Sequence, residues 1–144
     1  MDKCMTGCYR CLHRYGNQAY HGLLDWRLGL GVLHLLLDAG QMLGIDGNFD
    51  SPSVEDWPDL ARQLADEAAS FFASKRVDLG PIPLLEVASG KWAAVVHPFW
   101  QWDAVLGHHP ALNEFGIEHG GLMPVTTFEL ARQMGGVLSR LRAG

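Results

Sequence analysis

Three cysteines lie within the first eleven residues of the chain, at Cys4, Cys8 and Cys11. The spacing of Cys8 and Cys11 lets two thiolates reach one metal ion from a single tight turn, and Cys4 adds a third thiolate. Zinc prefers four thiolate, imidazole or carboxylate ligands arranged as a tetrahedron. The pattern therefore predicts a structural zinc knuckle in residues 1–16, with Zn²⁺ as the expected cofactor.

The sequence leaves the fourth zinc ligand open. The candidates are Asp2, His13, His21 or a residue from another chain. Two other interpretations of the cysteines also stay open: reduced cysteines without a metal, and a redox dithiol. A redox Cys-x-x-Cys pair is expected at a helix N-terminus that follows a strand, and no strand is predicted before Cys8. We therefore favour the metal site.

The composition of the 144 residues is that of one globular domain, since 48% are hydrophobic and 19% are charged. The net charge of -5 argues against a nucleic-acid binder that is held by bulk electrostatics. A local basic patch remains compatible with that charge, because the basic residues are concentrated at the two ends of the chain. The sequence has no phosphate-binding Gly-x-x-x-x-Gly-Lys-[Ser/Thr] loop and no DEAD-type box, which excludes ATP hydrolysis.

The sequence also predicts a soluble, cytoplasmic protein that does not enter a membrane. The first residues contain cysteines and arginines instead of the apolar stretch of a signal peptide. The most hydrophobic segment, residues 28–37, contains His34 and is far shorter than the roughly 20 residues that span a bilayer. Cytoplasmic thiols stay reduced, which again favours metal ligands over a disulfide.

The remainder of the chain, residues 17–144, predicts a single helix-rich α+β domain. We expect a long leucine-rich helix from about 17 to 43, with Asn17 as its N-cap. A second helix is expected to begin at a capping box formed by Ser53 and Asp56 and to end near Lys75. Residues 82–97 predict two strands joined by a tight turn, in a small antiparallel sheet. Three features complete the expected order: a loop over 107–122, a short strand at Val125, and a last helix capped by Thr126 or Thr127.

The segment 8–27 carries a pattern that extends well beyond its two cysteines. It resembles C-x-x-C-L-x-x-Y-x-N-Q-x-x-H-x-x-L-D-R, the signature of the MrfA-type zinc-binding region at the C-terminus of a group of DEAD/DEAH-box helicases. It is also similar to a component of the DISARM phage-defence system. The matching residues are Cys8, Cys11, Leu12, Tyr15, Asn17, Gln18, His21, Leu24 and Asp25. Trp26 stands where the family usually has Arg, and Arg27 follows it.

Two later segments, 95–100 and 127–130, also resemble the tails of these helicases. The resemblance implies that the chain is the detached C-terminal part of a longer helicase-related protein. It further implies a zinc-binding accessory module, without catalysis of its own, in DNA repair or phage defence. Its expected partners are the helicase core or an upstream polypeptide, and DNA. Family members use four cysteines, and Asp2 stands near the place where another cysteine is expected.

Polar and basic side chains surround the predicted knuckle. They can support the metal loop through hydrogen bonds to ligand sulfurs or to backbone carbonyls. They can instead contact a nucleic-acid strand through its phosphates and by stacking on its bases. The residues for which both roles stay open are Arg10, Arg14, Tyr15, Asn17, His21 and Arg27.

A metal-dependent nuclease is the alternative function, and an inert fragment is a third hypothesis. A nuclease of the PD-(D/E)xK type needs an Asp and then Glu-x-Lys on the next strand, so that carboxylates hold Mg²⁺ and Lys activates water. Asp78, Glu86 and Lys91 match this pattern poorly, because Ala88 stands where the Lys is required. Two further groups are expected to be solvated or in the core instead of functional: His108, His109 and His119, and Trp92, Phe99, Trp100 and Trp102.

Overall fold

A computed structural model of the chain describes residues 7–9 and 11–143. Within these ranges, five α-helices and one four-stranded sheet form the fold, which confirms the predicted α+β class. In this part of the chain no helix is both long and apolar enough to cross a bilayer. The elements in chain order are a 3-10 helix Tyr15–Leu23, α1 Trp26–Leu37, α2 Trp57–Phe72, β1 Arg76–Leu79, β2 Ile82–Ala88, β3 Lys91–Val96, α3 Trp102–His108, α4 Pro110–Glu118, β4 Leu122–Thr126 and α5 Thr127–Ala143.

The single long helix predicted from about 17 to 43 is wrong. Leu24 and Asp25 adopt extended backbone conformations, which separate the 3-10 helix from α1. The N-cap of α1 is Asp25, whose Oδ1 accepts the N–H groups of Arg27 at 3.0 Å and Leu28 at 3.4 Å. Asn17 instead lies at the third position of the 3-10 helix. A capping side chain in the middle of a leucine-rich segment therefore divides it into two.

The sheet has the strand order β1-β2-β3-β4. The predicted hairpin is present as β2 and β3, which pair antiparallel across the turn at Ser89 and Gly90. The prediction of a wholly antiparallel sheet is wrong, because β3 and β4 pair parallel. A parallel pair needs a long crossover connection. Here the crossover is α3 and α4, so the loop predicted over 107–122 is also wrong.

The core forms where α2 and α5 pack on the sheet and on each other. Every residue of β3 from Trp92 to Val96 is buried. Trp57 and Trp100 pack with ring centroids 4.6 Å apart. The indole of Trp100 donates to the carbonyl of Leu43 at 2.9 Å, which satisfies its buried N–H group. The expectation that Trp92 and Trp100 belong to the core is therefore confirmed.

The last helix begins immediately after β4. Thr126 Oγ1 accepts the N–H of Glu129 at 3.1 Å, and the Glu129 carboxylate accepts the N–H of Thr126 at 3.0 Å. These two reciprocal bonds are a capping box, so the predicted cap at Thr126 is confirmed. The chain thus turns from strand to helix within one residue, which places the N-terminus of α5 directly at the end of β4.

Candidate zinc knuckle and adjoining cavity

The two cysteines of the Cys-x-x-Cys pair lie together, with Cys8 Sγ and Cys11 Sγ 3.7 Å apart. Two thiolates bound to one zinc ion at about 2.3 Å, on two corners of a tetrahedron, lie about 3.8 Å from each other. The sulfur atoms of a disulfide lie about 2.05 Å apart. The distance therefore fits two ligands of a shared zinc ion and excludes a disulfide between these two residues.

Backbone hydrogen bonds hold this pair in a tight turn. The carbonyl of Cys8 accepts the N–H groups of Cys11, Leu12 and His13 at 3.0, 3.1 and 2.9 Å. The N–H of Cys8 donates to Cys11 Sγ at 3.2 Å. Because the backbone fixes both cysteines, bringing the two sulfurs to one ion requires no rearrangement of the turn.

The other predicted ligands are not all visible. Cys4 and Asp2 lie outside the described residues, as does Arg10. Within residues 7–9 and 11–143, no three His, Cys, Asp or Glu side chains are grouped so that they could hold a metal ion. The structure therefore brings together two of the four predicted ligands, Cys8 and Cys11.

The histidines next to the knuckle stack on each other. The rings of His13 and His21 are nearly parallel, with centroids 4.1 Å apart, and Tyr9 meets both of them edge-on. His13 Nε2 is buried and has no hydrogen-bond partner among the described residues. His13 Nε2 is thus a ring nitrogen near the knuckle that could bind a metal ion.

Asn17 ties the knuckle to the helix that follows it. Its Oδ1 accepts the N–H of Arg14 at 2.7 Å and lies 2.9 Å from His21 Nε2. Its Nδ2 donates to the carbonyl of Leu12 at 3.0 Å. His21 Nε2 also lies 3.0 Å from the carbonyl of Arg14, so this nitrogen faces two acceptors and must be the protonated one. Asn17 and His21 therefore hold the segment after the cysteine turn through hydrogen bonds.

Tyr15 and Arg27 occupy different surroundings from Asn17 and His21. Tyr15 is 89% exposed, so its ring contributes little to packing and is available for stacking on a ligand. Arg27 lies away from the knuckle, where it forms an ion pair with Asp56 and stacks on the Trp26 ring at 4.6 Å. Arg27 also lines a cavity that the sequence did not predict.

This cavity has a volume of about 70 Å³ and opens beyond the carboxyl ends of β3 and β4. In sheets with parallel strands, this edge is where ligand crevices form. The first residues of α1, α2 and α5 also surround it. Its lining consists of Asp25, Arg27, Leu28, Ser53, Asp56, Trp57, Leu60, His97, Pro98, Thr127, Phe128, Ala131 and Arg132.

Buried polar groups concentrate at this cavity. In the described part of the chain, the buried polar residues are Ser53, His97 and Thr127, and all three line it. Thr127 Oγ1 accepts the indole N–H of Trp57 at 3.3 Å. Ser53 Oγ lies 3.3 Å from the Nδ1 of His34. Ser53 and Thr127 therefore both have side-chain partners within the fold.

His97 differs from the other two. Its Nδ1 accepts the N–H of Phe99 at 3.2 Å, while no described residue bonds its Nε2. Burial lowers the pKa of His97 to about 4, so the ring is neutral at pH 7. Since Nδ1 is an acceptor, the proton of the neutral ring lies on Nε2. His97 therefore places its Nε2–H group at the cavity, and no described residue accepts a hydrogen bond from it.

The segments that form the cavity were noted in the sequence, although their convergence was not predicted. Asp25 and Arg27 end the knuckle pattern, His97 belongs to segment 95–100, and Thr127 and Phe128 begin segment 127–130. Nothing local in these segments indicates that they meet.

The carboxylates of the predicted nuclease alternative are engaged elsewhere. Glu86 lies 3.6 Å from the Lys75 ammonium and accepts the N–H of Gly90. Asp78 forms an ion pair with Arg76 at 2.7 Å. Each carboxylate is thus held by basic or backbone groups of its own neighbourhood.

The three histidines of 108–119 lie in separate surroundings. His119 stacks on Phe115 with centroids 3.9 Å apart, His109 faces Trp100, and His108 is exposed.

Comparison with protein-family models, with curated proteins and with solved structures finds no match to this chain.

The buried neutral state of His97 predicts a pH-dependent stability. In the unfolded chain the imidazole protonates near its ordinary pKa of 6.5, but in the folded chain only near 4. The unfolded state therefore binds more protons between these values, and stability is lost as the pH falls through them. Between pH 7 and pH 5 we expect the free energy of unfolding to fall by about 2 kcal/mol more in the wild type than in His97→Asn. Urea denaturation at both pH values measures this, and equal falls in the two proteins would contradict it.

Proposed function

We propose that the chain is a non-catalytic, zinc-binding accessory module of a DNA helicase or of a helicase-related defence or repair system. In this proposal it packs on the helicase core or on an upstream polypeptide, and it contacts DNA. The observation that carries the zinc part is the 3.7 Å separation of the Cys8 and Cys11 sulfurs in a turn closed by backbone hydrogen bonds. Cys4 would supply a third thiolate, with the fourth ligand from Asp2, a histidine or another chain.

Support for the family assignment comes from the cavity. Three segments that resemble helicase tails are far apart in sequence, yet residues from all three line one site. The convergence is what we expect if the segments are parts of one functional surface.

Support for packing on a protein partner comes from α1. Four apolar side chains of α1 recur at intervals of three and four residues, which places them on one side of the helix. They are Val32, Leu33, Leu36 and Leu37. Their exposed fractions range from 42% to 85%. This apolar stripe continues into an open groove lined by Leu12, Leu24 and Phe99. Contiguous exposed apolar surface of this kind marks interaction sites.

Zinc binding gives the first test. The purified chain is expected to contain about one zinc ion per molecule by elemental analysis, because three thiolates and one further ligand complete a tetrahedron. The double variant Cys8→Ser and Cys11→Ser should lose the metal, since a serine hydroxyl is a far poorer zinc ligand than a thiolate. His119→Ala, which removes an imidazole outside the knuckle, is the control and should keep its zinc. Stoichiometric zinc in the double variant would remove the proposed site.

Association with a helicase gives the second test. The test uses a DEAD/DEAH-box helicase polypeptide from the same organism, and calorimetry measures its affinity for the purified chain. Leu36→Lys with Leu37→Lys places charge on the stripe and should weaken association by about 30-fold or more. Both side chains are exposed, at 77% and 85%, so the free energy of unfolding should change by only about 0.5 kcal/mol.

The matched control for the stripe is Phe71→Lys, which removes a 75% exposed apolar side chain on α2. It should leave the association unchanged. The proposed packing surface would be contradicted if the helicase polypeptide bound the stripe variant and the wild type equally well. It would also be contradicted if the helicase polypeptide did not bind the wild type at all.

A further inference from the structure

We propose that the cavity at the carboxyl ends of β3 and β4 binds a nucleobase of single-stranded DNA. The inference deepens the proposed function and rests on it for the choice of DNA as the nucleic acid. It starts from the place of the cavity in the fold, at the edge where parallel strands end, with buried polar residues gathered around it.

The walls of the open cavity suit the edge of a flat ring. Its volume of about 70 Å³ is roughly half of the ~150 Å³ that encloses a benzene ring, so the edge of a base enters while the rest of the ring stays at the mouth. Trp57, Phe128 and Pro98 provide apolar and aromatic surface. Bases that leave a strand are bound by stacking on such side chains.

The charges around the cavity favour a neutral ligand over a simple anion. The guanidinium groups of Arg27 and Arg132 are matched by the carboxylates of Asp25 and Asp56, so their formal charges sum to zero. The first N–H groups of α1 already donate to Asp25 Oδ1, and they are therefore not presented to a phosphate. A base carries no net charge. Its hydrogen-bond donors and acceptors can pair with these guanidinium and carboxylate groups.

His97 supplies the most specific contact. It is 3% exposed, it lines the cavity, and its Nε2–H has no acceptor among the described residues. The Nε2 atom keeps access to the open cavity, where a ligand or water accepts its hydrogen bond. A carbonyl oxygen or ring nitrogen of a base would accept it.

A second groove next to the cavity gives the strand a path. Its charged lining residues are Glu129, Arg132 and Arg140, which leave one net positive charge although Arg140 pairs with Glu129 at 3.2 Å. Phe128 and Arg132 also line the cavity. The Arg132 guanidinium lies 3.7 Å from the centroid of the Phe128 ring, so its planar face is fixed at the junction. Arginine forks bind phosphate oxygens. A strand with one base in the cavity would therefore lay its neighbouring phosphates along this groove.

The experiment compares two oligonucleotides that differ only in their bases. One is an oligodeoxythymidylate of about ten nucleotides, and the other is an abasic oligomer of the same length. Fluorescence anisotropy with the zinc-loaded full chain should show about tenfold tighter binding of the oligodeoxythymidylate, because base stacking is lost in the abasic strand.

Two variants assign this preference to the cavity. Ala131 is exposed at the rim of the cavity on α5, so Ala131→Phe covers the entrance without disturbing the core. It should abolish the preference for the oligodeoxythymidylate and leave binding of the abasic strand unchanged. His97→Asn keeps an acceptor for the N–H of Phe99 but removes the Nε2–H, and it should weaken binding of the base-containing strand by about fivefold. The matched control, Ala104→Phe, adds the same ring at an exposed position of α3 and should behave as the wild type.

Equal affinity of the wild type for the two oligomers would overturn the inference. If the chain still binds both strands and one zinc ion, the proposed function stands while the base-binding cavity falls. A cavity that holds a side chain of a protein partner would give a different result: Ala131→Phe would weaken association with the helicase polypeptide and leave the preference between oligomers unchanged. That result would also overturn the inference.

Discussion

The parallel pairing of β3 with β4 is the constraint on which the rest of the structure depends. Val95 and Val96 lie beside Val125 and Thr126, so both strands end at the same edge of the sheet. This pairing requires the crossover through α3 and α4. It also places His97, which follows β3, next to Thr127, which begins α5. An antiparallel β4 would end at the opposite edge, and the cavity would not form.

The knuckle is coupled to this edge through a short series of contacts. The Asn17 side chain joins the carbonyl of Leu12, at the end of the cysteine turn, to the 3-10 helix. After that helix, Asp25 caps α1, and Arg27 pairs with Asp56 at the start of α2. Asp25, Arg27 and Asp56 are all part of the cavity lining. In our account, a zinc ion that fixes the cysteine turn also fixes one wall of the cavity.

The sequence predicted those elements whose structure is set by residues close together in the chain. The threonines at 126 and 127 predicted the cap of α5, the turn at Gly90 predicted the β2–β3 hairpin, and the Cys8–Cys11 spacing predicted the approach of two sulfurs. The long helix failed because the apolar periodicity continues past Asp25, and only the local backbone shows that this carboxylate caps a new helix. The helix α4 was missed because its Gly and His content is typical of loops, although Pro110 suits a first helical position.

The orientation of β4 and the cavity could not be predicted for a different reason. A strand of five residues carries no local information on whether its neighbour runs parallel. The cavity is built from the starts of three helices and the ends of two strands, so it exists only after the sheet has closed. The identity of the remaining ligands of the proposed zinc site likewise depends on contacts that spacing alone does not specify.

The most direct test of the coupling between the knuckle and the cavity is amide hydrogen exchange with and without a zinc chelator. The account predicts that removing zinc speeds exchange by about tenfold or more at Arg14, Arg27 and Leu28, whose amides donate to side chains that depend on the ordered turn. The amides of the β2–β3 pair should exchange as before. Unchanged exchange at Arg14, Arg27 and Leu28 in a chain that has lost its zinc would contradict the account.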